Sequence, residues 1–380
     1  MRVLIGEYEV VEVESSRGRA ANEFVELPFN LYRDSRQWVP WFRADVRRVL
    51  DRTHPFFRHS CGAFYLVRKG GAAVGRIAAL ENRVYNAQHG RKSAHFYLYD
   101  VADDLGAASA LFEAARTWAR NRGLDCLLGP MGFGGMTGGG ILIEGFAHRA
   151  AMTMMAYNHP YYRGLLESLG FEKFLDLHSA YLKTERFQLP DRVRDVARRV
   201  LARGSFRVLE FRSKRALKKI AFQIGRIFNV AEAGNLETYA YSDEELKLVI
   251  QDLVLVADPS LIKVLAYRDE IVGFLLGFPD LSEAIQRSQG KINPLSLLRI
   301  LREYGKTDWL IVNGAGILPR YQRLGGNALL YYELERTAKS KNFKHVDMAQ
   351  IAETTGLMLN DIETLGGQVY KTHRIYTTKL

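Results

Sequence analysis

Two short stretches constrain the fold more than anything else in the chain: Leu166-Glu-Ser-Leu-Gly-Phe171 and Ile362-Glu-Thr-Leu-Gly-Gly367. Each closes a helical apolar pattern with Leu-Gly, and glycine reaches the left-handed C-cap conformation without steric cost. Each also follows the same run of patterns. In the first half, residues 64–67 and 73–79 read as a strand hairpin and 96–99 as a strand. A helix is expected over 107–122, with apolar positions at Ala110, Leu111, Ala114, Ala115 and Ala119, then a strand over 124–128. In the second half, 261–267 and 271–278 form the hairpin, 309–314 a strand, 323–341 the long helix and 345–351 a strand. Residues 355–365 give the short helix and 369–378 the last strand. One order met twice predicts two copies of a single α+β domain. The boundaries expected are 1–185 and 206–380, with a basic, amphipathic linker helix within 186–205.

Composition agrees with that reading. A chain of 380 residues with 47% hydrophobic and 25% charged residues has material for two buried cores. The net charge of +11 suits an anionic partner (a nucleotide, nucleic acid or an anionic membrane surface), but charge alone favours a solvated basic surface, and a nucleic-acid partner is not expected. The only cysteines are Cys61 and Cys126, so no disulfide framework is expected. His54, His59 and Cys61 lack a fourth ligand, so no metal site is expected. The N-terminal residues lack the apolar core of a signal peptide, and no apolar run reaches the ~18 residues of a membrane span. A cytoplasmic protein is expected, with at most peripheral contact to the inner membrane.

Two glycine-rich stretches are candidate phosphate cradles. Gly129 to Phe146 (GPMGFGGMTGGGILIEGF) runs from strand toward strand, and no lysine or helix start follows it. The phosphate reading therefore fails on context. A loop lying close to a substrate, or a bare hairpin, remains. The second stretch, Gly314 to Leu330, carries Arg320, Gln322 and Arg323 in a turn, and then glycines open a long helix. Helix-start N–H groups beside basic side chains suit a pyrophosphate.

Gln322-Arg-Leu-Gly-Gly-Asn-Ala328 resembles the Q/R-x-x-G-x-G/A loop of GCN5-related N-acetyltransferases (GNAT). The frame from Gln322 puts Asn327 at the last position, whereas the frame from Arg323 matches throughout. Tyr32-Arg-Asp34, Trp38-Val-Pro40, Gly75-Arg-Ile-Ala78, Ile143-Glu-Gly-Phe146, Tyr157-Asn-His-Pro-Tyr-Tyr162 and Lys371-Thr-His-Arg-Ile-Tyr376 resemble a bacterial family of tandem GNAT-like proteins. Those proteins include N-acyltransferases and are similar to bacterial ceramide synthases. Two positions depart from that family: the glycine stretch before Ile141, and Thr355 after Glu353 where asparagine is common. The resemblance implies two GNAT-like domains, each a mixed, mostly antiparallel sheet flanked by helices. It also implies acyl-CoA or acetyl-CoA held by Gln322, Arg323, Leu324, Gly325, Gly326, Asn327 and Ala328, with an oxyanion donor near Ile317.

The implied chemistry is attack of an amine on a thioester carbonyl, which needs a base and a donor to the oxyanion. Asp280, Glu144 and Glu353 are the candidate bases, with Asp347 and His373 behind them. Glu144 follows an apolar segment, so burial is expected there. Tyr157, Asn158, Tyr161 and Tyr162 are candidate acceptor-binding residues. The first half carries Val101-Ala-Asp-Asp-Leu-Gly106 where the phosphate loop belongs, and its acids repel phosphate. One cofactor site is therefore expected, in the second half. The function expected is N-acylation of a small-molecule or lipid amine. The alternatives are a tandem aminoacyl-tRNA transferase and an inactive CoA- or lipid-binding module. Residues 281–307 hold an apolar cluster flanked by Lys291, Arg299 and Arg302; a packed helix is the commoner reading of such a segment, and a cover for a lipid-sized channel or a contact with an anionic membrane is the functional one.

Overall fold

The computed structural model describes residues 2–133, 137–184 and 188–380. Gly134 and Gly135 of the first glycine stretch, and Arg186 at the start of the expected linker, lie outside the described residues. The fold is α+β, with strands and helices in the repeated order the sequence predicts. The chain packs as two compact units. The first holds Met1–Leu177, Ser282–Leu301 and Lys371–Leu380; the second holds His178–Leu281 and Arg302–Tyr370.

In the first unit, β1 (Arg2–Ile5), β2 (Tyr8–Glu12), β3 (Cys61–Lys69), β4 (Ala72–Glu81) and β5 (Ser93–Val101) pair in order, each antiparallel to the next. β5 then runs parallel to β6 (Cys126–Gly129) only from Ser93 to His95, against Cys126 to Leu128. Beyond that the two strands diverge. The crossover between them is α4 (Leu105–Arg120), whose Ala107, Leu111 and Ala115 face the sheet, fully buried. A buried core containing Phe96, Phe112, Tyr162 and Phe171 fills the space beneath. Residues of β14 (Gln368–Lys379) pair with β6 and with β7 (Ile141–Glu144), so the end of the chain completes this unit. The sequence pattern located that strand without revealing its partners. Pairing depends on register over more than two hundred residues, which local periodicity does not carry.

The opposite face carries α1 (Arg19–Leu31) and α2 (Arg43–Leu50). Two more helices of this unit are α3 (Arg83–His89) and α5 (Tyr161–Ser168).

In the second unit, β9 (Phe206–Leu209), β10 (Ile262–Tyr267), β11 (Glu270–Pro279) and β12 (Trp309–Ile317) pair antiparallel in that order. β12 is parallel to β13 (His345–Ala352) from Trp309 to Val312 only. The crossover is α11 (Gly326–Ser340), packed on α6 (Asp191–Arg203) and on a core with Leu265, Leu275, Leu310 and Leu329. α7 (Lys214–Ala231) and α8 (Asp243–Val256) cover the other face, and α12 (Gly356–Thr364) precedes β14. The two units therefore share one plan, with a parallel pair that opens into a V behind a long crossover helix.

Candidate functional site

The strand feeding each V is kinked. In the first unit the β4–β5 register slips between Arg76 and Ala78, and Leu98 has φ 45°. In the second unit the β11–β12 register slips between Leu275 and Gly277, and Gly314 has φ 101°. A bulge leaves its extra residue out of the ladder, freeing backbone groups to meet something else. Ile317, three residues beyond Gly314, is back in register opposite Gly273, and its side chain is buried beneath Gly326.

The two crossover helices begin very differently. In the first unit Asp104 caps α4, accepting from Ala107 N–H at 3.0 Å. Tyr8 Oη donates to Asp104 Oδ1 at 2.7 Å, and Lys69 Nζ to Oδ2 at 3.0 Å. The Tyr8 ring lies so close to Gly106 that a Cβ there would be 2.4 Å from the hydroxyl. Burial opposes ionisation of Asp104, but the Tyr8 hydroxyl, the Ala107 N–H and Lys69 hold its carboxyl down at about 2. A carboxylate and a phenol ring thus fill the space that a phosphate needs.

In the second unit the cap of α11 is Gly325, with φ 87° and no side chain to cover the helix end. A Cβ on Gly325 would meet Val200 at 2.7 Å, and one on Gly326 would meet Leu265 at 2.6 Å, so glycine lets the loop lie flat on α6 and β10. The first N–H groups of a helix have no intrahelical acceptor, and here Gly326, Asn327 and Ala328 supply them. Gln322 Nε2 donates to Ile317 O at 2.9 Å, tying the loop to the end of β12. Arg320 and Tyr321 are drawn to Glu270, Arg323 takes φ 60°, and Leu324 is exposed. Asn327 Nδ2 donates to Asp361 at 3.2 Å. The loop residues expected from the sequence therefore come together at one helix end, with both glycines doing steric work. They fit a pyrophosphate through the backbone N–H groups at the helix start.

Beside its kink, the first unit encloses a cavity of about 100 Å³. Tyr157 and Asn158 line it, as do Tyr32, Trp38, Trp41 and Tyr97. Arg76 is buried in its wall, donating to Asp100 at 2.7 Å and to Phe24 O at 2.7 Å. Tyr32 Oη donates to Asp100 at 3.1 Å and lies 2.8 Å from Tyr162 Oη. Burial pushes both phenols well above their ordinary range, which keeps them neutral. Of the four predicted acceptor residues, Tyr157 and Asn158 face the cavity. Asn158 is fully engaged with the backbone of Leu142 and His159. Tyr161 and Tyr162 stand behind the wall, bonded to the Val101 carbonyl and N–H. The described part of the glycine stretch also borders this cavity. A Cβ on Gly132 would be 2.2 Å from the Tyr97 ring, and Tyr97 Oη donates to Gly138 O at 3.2 Å.

The predicted bases are scattered. Glu144 ends β7 in the first unit; it is exposed rather than buried, and accepts from Thr372 Oγ1 at 2.9 Å. Asp280 is buried in the second unit, where its N–H meets Trp309 O at 2.9 Å. That register is five residues before Gly314, about 16 Å along a strand. Glu353 is half-buried, one residue past β13. Asp347 is buried and accepts from Tyr370 at 2.6 Å. His373 is fully buried in the first unit, 2.8 Å from Ala156 O, and burial lowers its pKa to about 4. No cluster able to hold a metal occurs among the described residues. His54 accepts from Phe56 N–H, His59 sits 2.6 Å from Ser60 Oγ, and Cys61 is 3.3 Å from Glu81.

One carboxyl pair escaped the sequence reading. Glu232 caps α7 as Tyr32 caps α1, and the turns after them match bond for bond. Ser35 N–H bonds Tyr32 O at 3.0 Å and Trp38 N–H bonds Ser35 O at 3.2 Å; Asn235 to Glu232 and Thr238 to Asn235 repeat this at 3.0 and 3.3 Å. Glu232 therefore stands where the first unit has its cavity-lining tyrosine. Its neighbour Ala231 abuts Gly316, where an added Cβ would be 2.7 Å away. Burial, then the charge of Glu237, raises the Glu232 carboxyl to about 7, while burial raises Glu237. Gly316 and Phe274 replace the Asp100–Arg76 pair at the corresponding register, so this V lacks the buried ion pair of the first unit. Nothing in the local sequence marks Glu232, because its environment comes from the turn and from β12.

No family model matches the chain. It is 26% identical over 374 residues to the bacterial ceramide synthase of Caulobacter vibrioides (strain NA1000 / CB15N), covering 94% of each chain. It is 25% identical over 370 residues to protein YghO of Escherichia coli (strain K12), covering 94% of this chain and 92% of that protein. Among solved structures, a tandem GNAT protein from the clavulanic acid biosynthesis pathway superimposes with a TM-score of 0.57 at 13% identity, covering 98% of both chains. With two kinked, V-shaped units and these resemblances along nearly its whole length, the chain is a tandem GNAT-fold protein.

Proposed function

We propose that the protein is an acyl-CoA-dependent N-acyltransferase whose chemistry belongs to the second unit. The observation that carries this is the contrast between the helix starts: α11 opens on bare glycines, whereas Asp104, Tyr8 and Lys69 close α4. In this reading the loop from Gln322 to Ala328 holds the CoA pyrophosphate. The thioester then lies in the V beside Gly316. A backbone N–H freed at the Asn313–Gly314 kink, on the same strand as Ile317, donates to the carbonyl oxygen as it becomes an oxyanion.

Glu232, paired with Glu237, takes a proton from the acceptor ammonium. A carboxyl poised near neutrality suits that task at physiological pH. The amine nitrogen forms a bond to the carbonyl carbon, the carbon–sulfur bond breaks, and the leaving thiolate takes up the second proton that the nitrogen sheds as the amide forms, while Glu232 returns the first to solvent. Asp280 and Glu353 are the alternative bases in the same unit, and Asp280 is disfavoured by its distance along the strand. Glu144, Tyr157 and Asn158 belong to the first unit, where the cavity is read as a binding pocket without transfer chemistry. The similarity to a ceramide synthase over 94% of the chain supports a long-chain or sphingoid amine as acceptor, in the cytoplasm or at the inner membrane face.

The test is a matrix of acyl-CoA chain lengths against amines that includes sphinganine, read by mass spectrometry of the amide. Amide formation with release of free CoA supports the reading. Stabilisation by tRNA but not by CoA favours the aminoacyl-tRNA alternative. CoA binding without turnover on any amine favours an inactive module.

A further inference from the structure

Helix α10 (Pro294–Tyr304) wears its amphipathic pattern inside out. In a globular protein the apolar stripe of such a helix faces the core. Here the only buried residue of the helix is Ser296, held in a reciprocal cap with Asn293 by two bonds of 2.8 Å. The leucines point to solvent instead: Leu295 is 55% exposed, Leu297 51%, Leu298 44% and Leu301 70%, and Ile292 just before the helix is 58% exposed. At 100° per residue, Leu297, Leu301 and Leu298 share one face. Among the described residues, fifteen large apolar side chains are exposed, and five of them fall in these ten positions. A patch this concentrated marks an interaction surface rather than chance exposure.

The charge beside the patch selects the partner. Residues 291–302 contain Lys291, Arg299 and Arg302 and no acid. Arg299 Nη1 donates to Arg287 O at 2.6 Å, which fastens α10 to α9 (Ser282–Ser288). Gln286 of α9 is anchored in turn to Trp38 O at 2.7 Å. The apolar face is thus presented by a braced helix, with cationic side chains at its margin. A soluble protein partner would supply acids only at matched points; the surface of an anionic bilayer supplies both an apolar interior and a continuous negative potential.

We propose that α10 and Ile292 form a docking surface for anionic phospholipid membranes. The leucine face enters the acyl boundary, and Lys291, Arg299 and Arg302 lie at headgroup level. This attachment is independent of the transfer chemistry and needs no CoA.

Its test uses the full chain with vesicles of phosphatidylcholine, alone or with phosphatidylglycerol. Co-sedimentation is expected with the anionic vesicles and is weakened by high salt. The double substitution Leu297→Ser, Leu301→Ser should weaken it by about tenfold or more, since each leucine loses its partition into the bilayer. Both side chains are exposed, so the melting temperature should be unchanged. In a Leu298→Trp variant, indole emission should shift to the blue on anionic vesicles. Equal binding to neutral vesicles, or full binding by the double variant, overturns the proposal. So does a failure to bind vesicles combined with a dimer that the leucine substitutions dissociate, which would assign the face to a second copy of the chain.

Discussion

Replacing Glu232 with glutamine should weaken catalysis and strengthen the fold at once. The carboxyl is raised from 4.5 to about 7 by burial and by Glu237. A folded-state pKa above the unfolded one means that folding favours the protonated form. The contribution to stability is complete below pH 4.5 and is lost as the pH rises through about 7. At 1.36 kcal/mol per pH unit, the gap corresponds to about 3 kcal/mol at most. Because the residue is only partly enclosed, a penalty of about 1–3 kcal/mol for holding the ionised form at pH 8 is the reasonable range. Glutamine keeps the shape and carries no charge. Urea denaturation should therefore show Glu232→Gln more stable than the wild type by about 1–3 kcal/mol at pH 8, with the difference vanishing toward pH 4. Turnover should fall by about two to four orders of magnitude if Glu232 is the base. The wild-type rate should rise with pH through about 7. A variant equally destabilised at both pH values would refute the burial argument; undiminished turnover would refute the catalytic one.

Three further outcomes follow from the two helix starts and the glycine loop. Gly325→Glu should abolish CoA binding by calorimetry, because its Cβ collides with Val200 and its charge sits at the helix end; the Asp104 carboxylate and the Tyr8 ring do that job in the first unit. Asp104→Ala should cost about 1–2 kcal/mol by chemical denaturation, the worth of an N-cap, and leave CoA affinity alone. Gly138→Ala meets the Met154 carbonyl at 2.8 Å and should destabilise the first unit, whereas Gly139→Ala, with no atom nearer than 3.3 Å, should be tolerated. Neither should change CoA affinity in titrations, and an altered acceptor KM would support a substrate role for this loop.

What the sequence disclosed and what it hid divide along a physical line. Periodicity and glycine punctuation located β5, α4, β12 and α11, since those signals are local. The proposed phosphate loop is legible in the sequence because such a loop requires glycine at a helix start, at the end of a strand. The charge of Asp104 alone marks it as hostile to phosphate, while the Tyr8 ring that completes the closure comes from a strand almost a hundred residues away. Glu144 differs from the sequence expectation for a related reason. An apolar run before it suggested burial, but the strand ends there and the carboxylate emerges exposed. Glu232 carries no local mark because its raised carboxyl comes from its surroundings, and those depend on the packing of α7 over Gly316.

If the second unit holds CoA, the first unit's helix start stays untouched. Hydrogen–deuterium exchange read by mass spectrometry, with and without CoA, tests it peptide by peptide. Exchange should slow over residues 317–330 and stay unchanged over residues 101–108. Protection of 101–108 with 317–330 unaffected would contradict it.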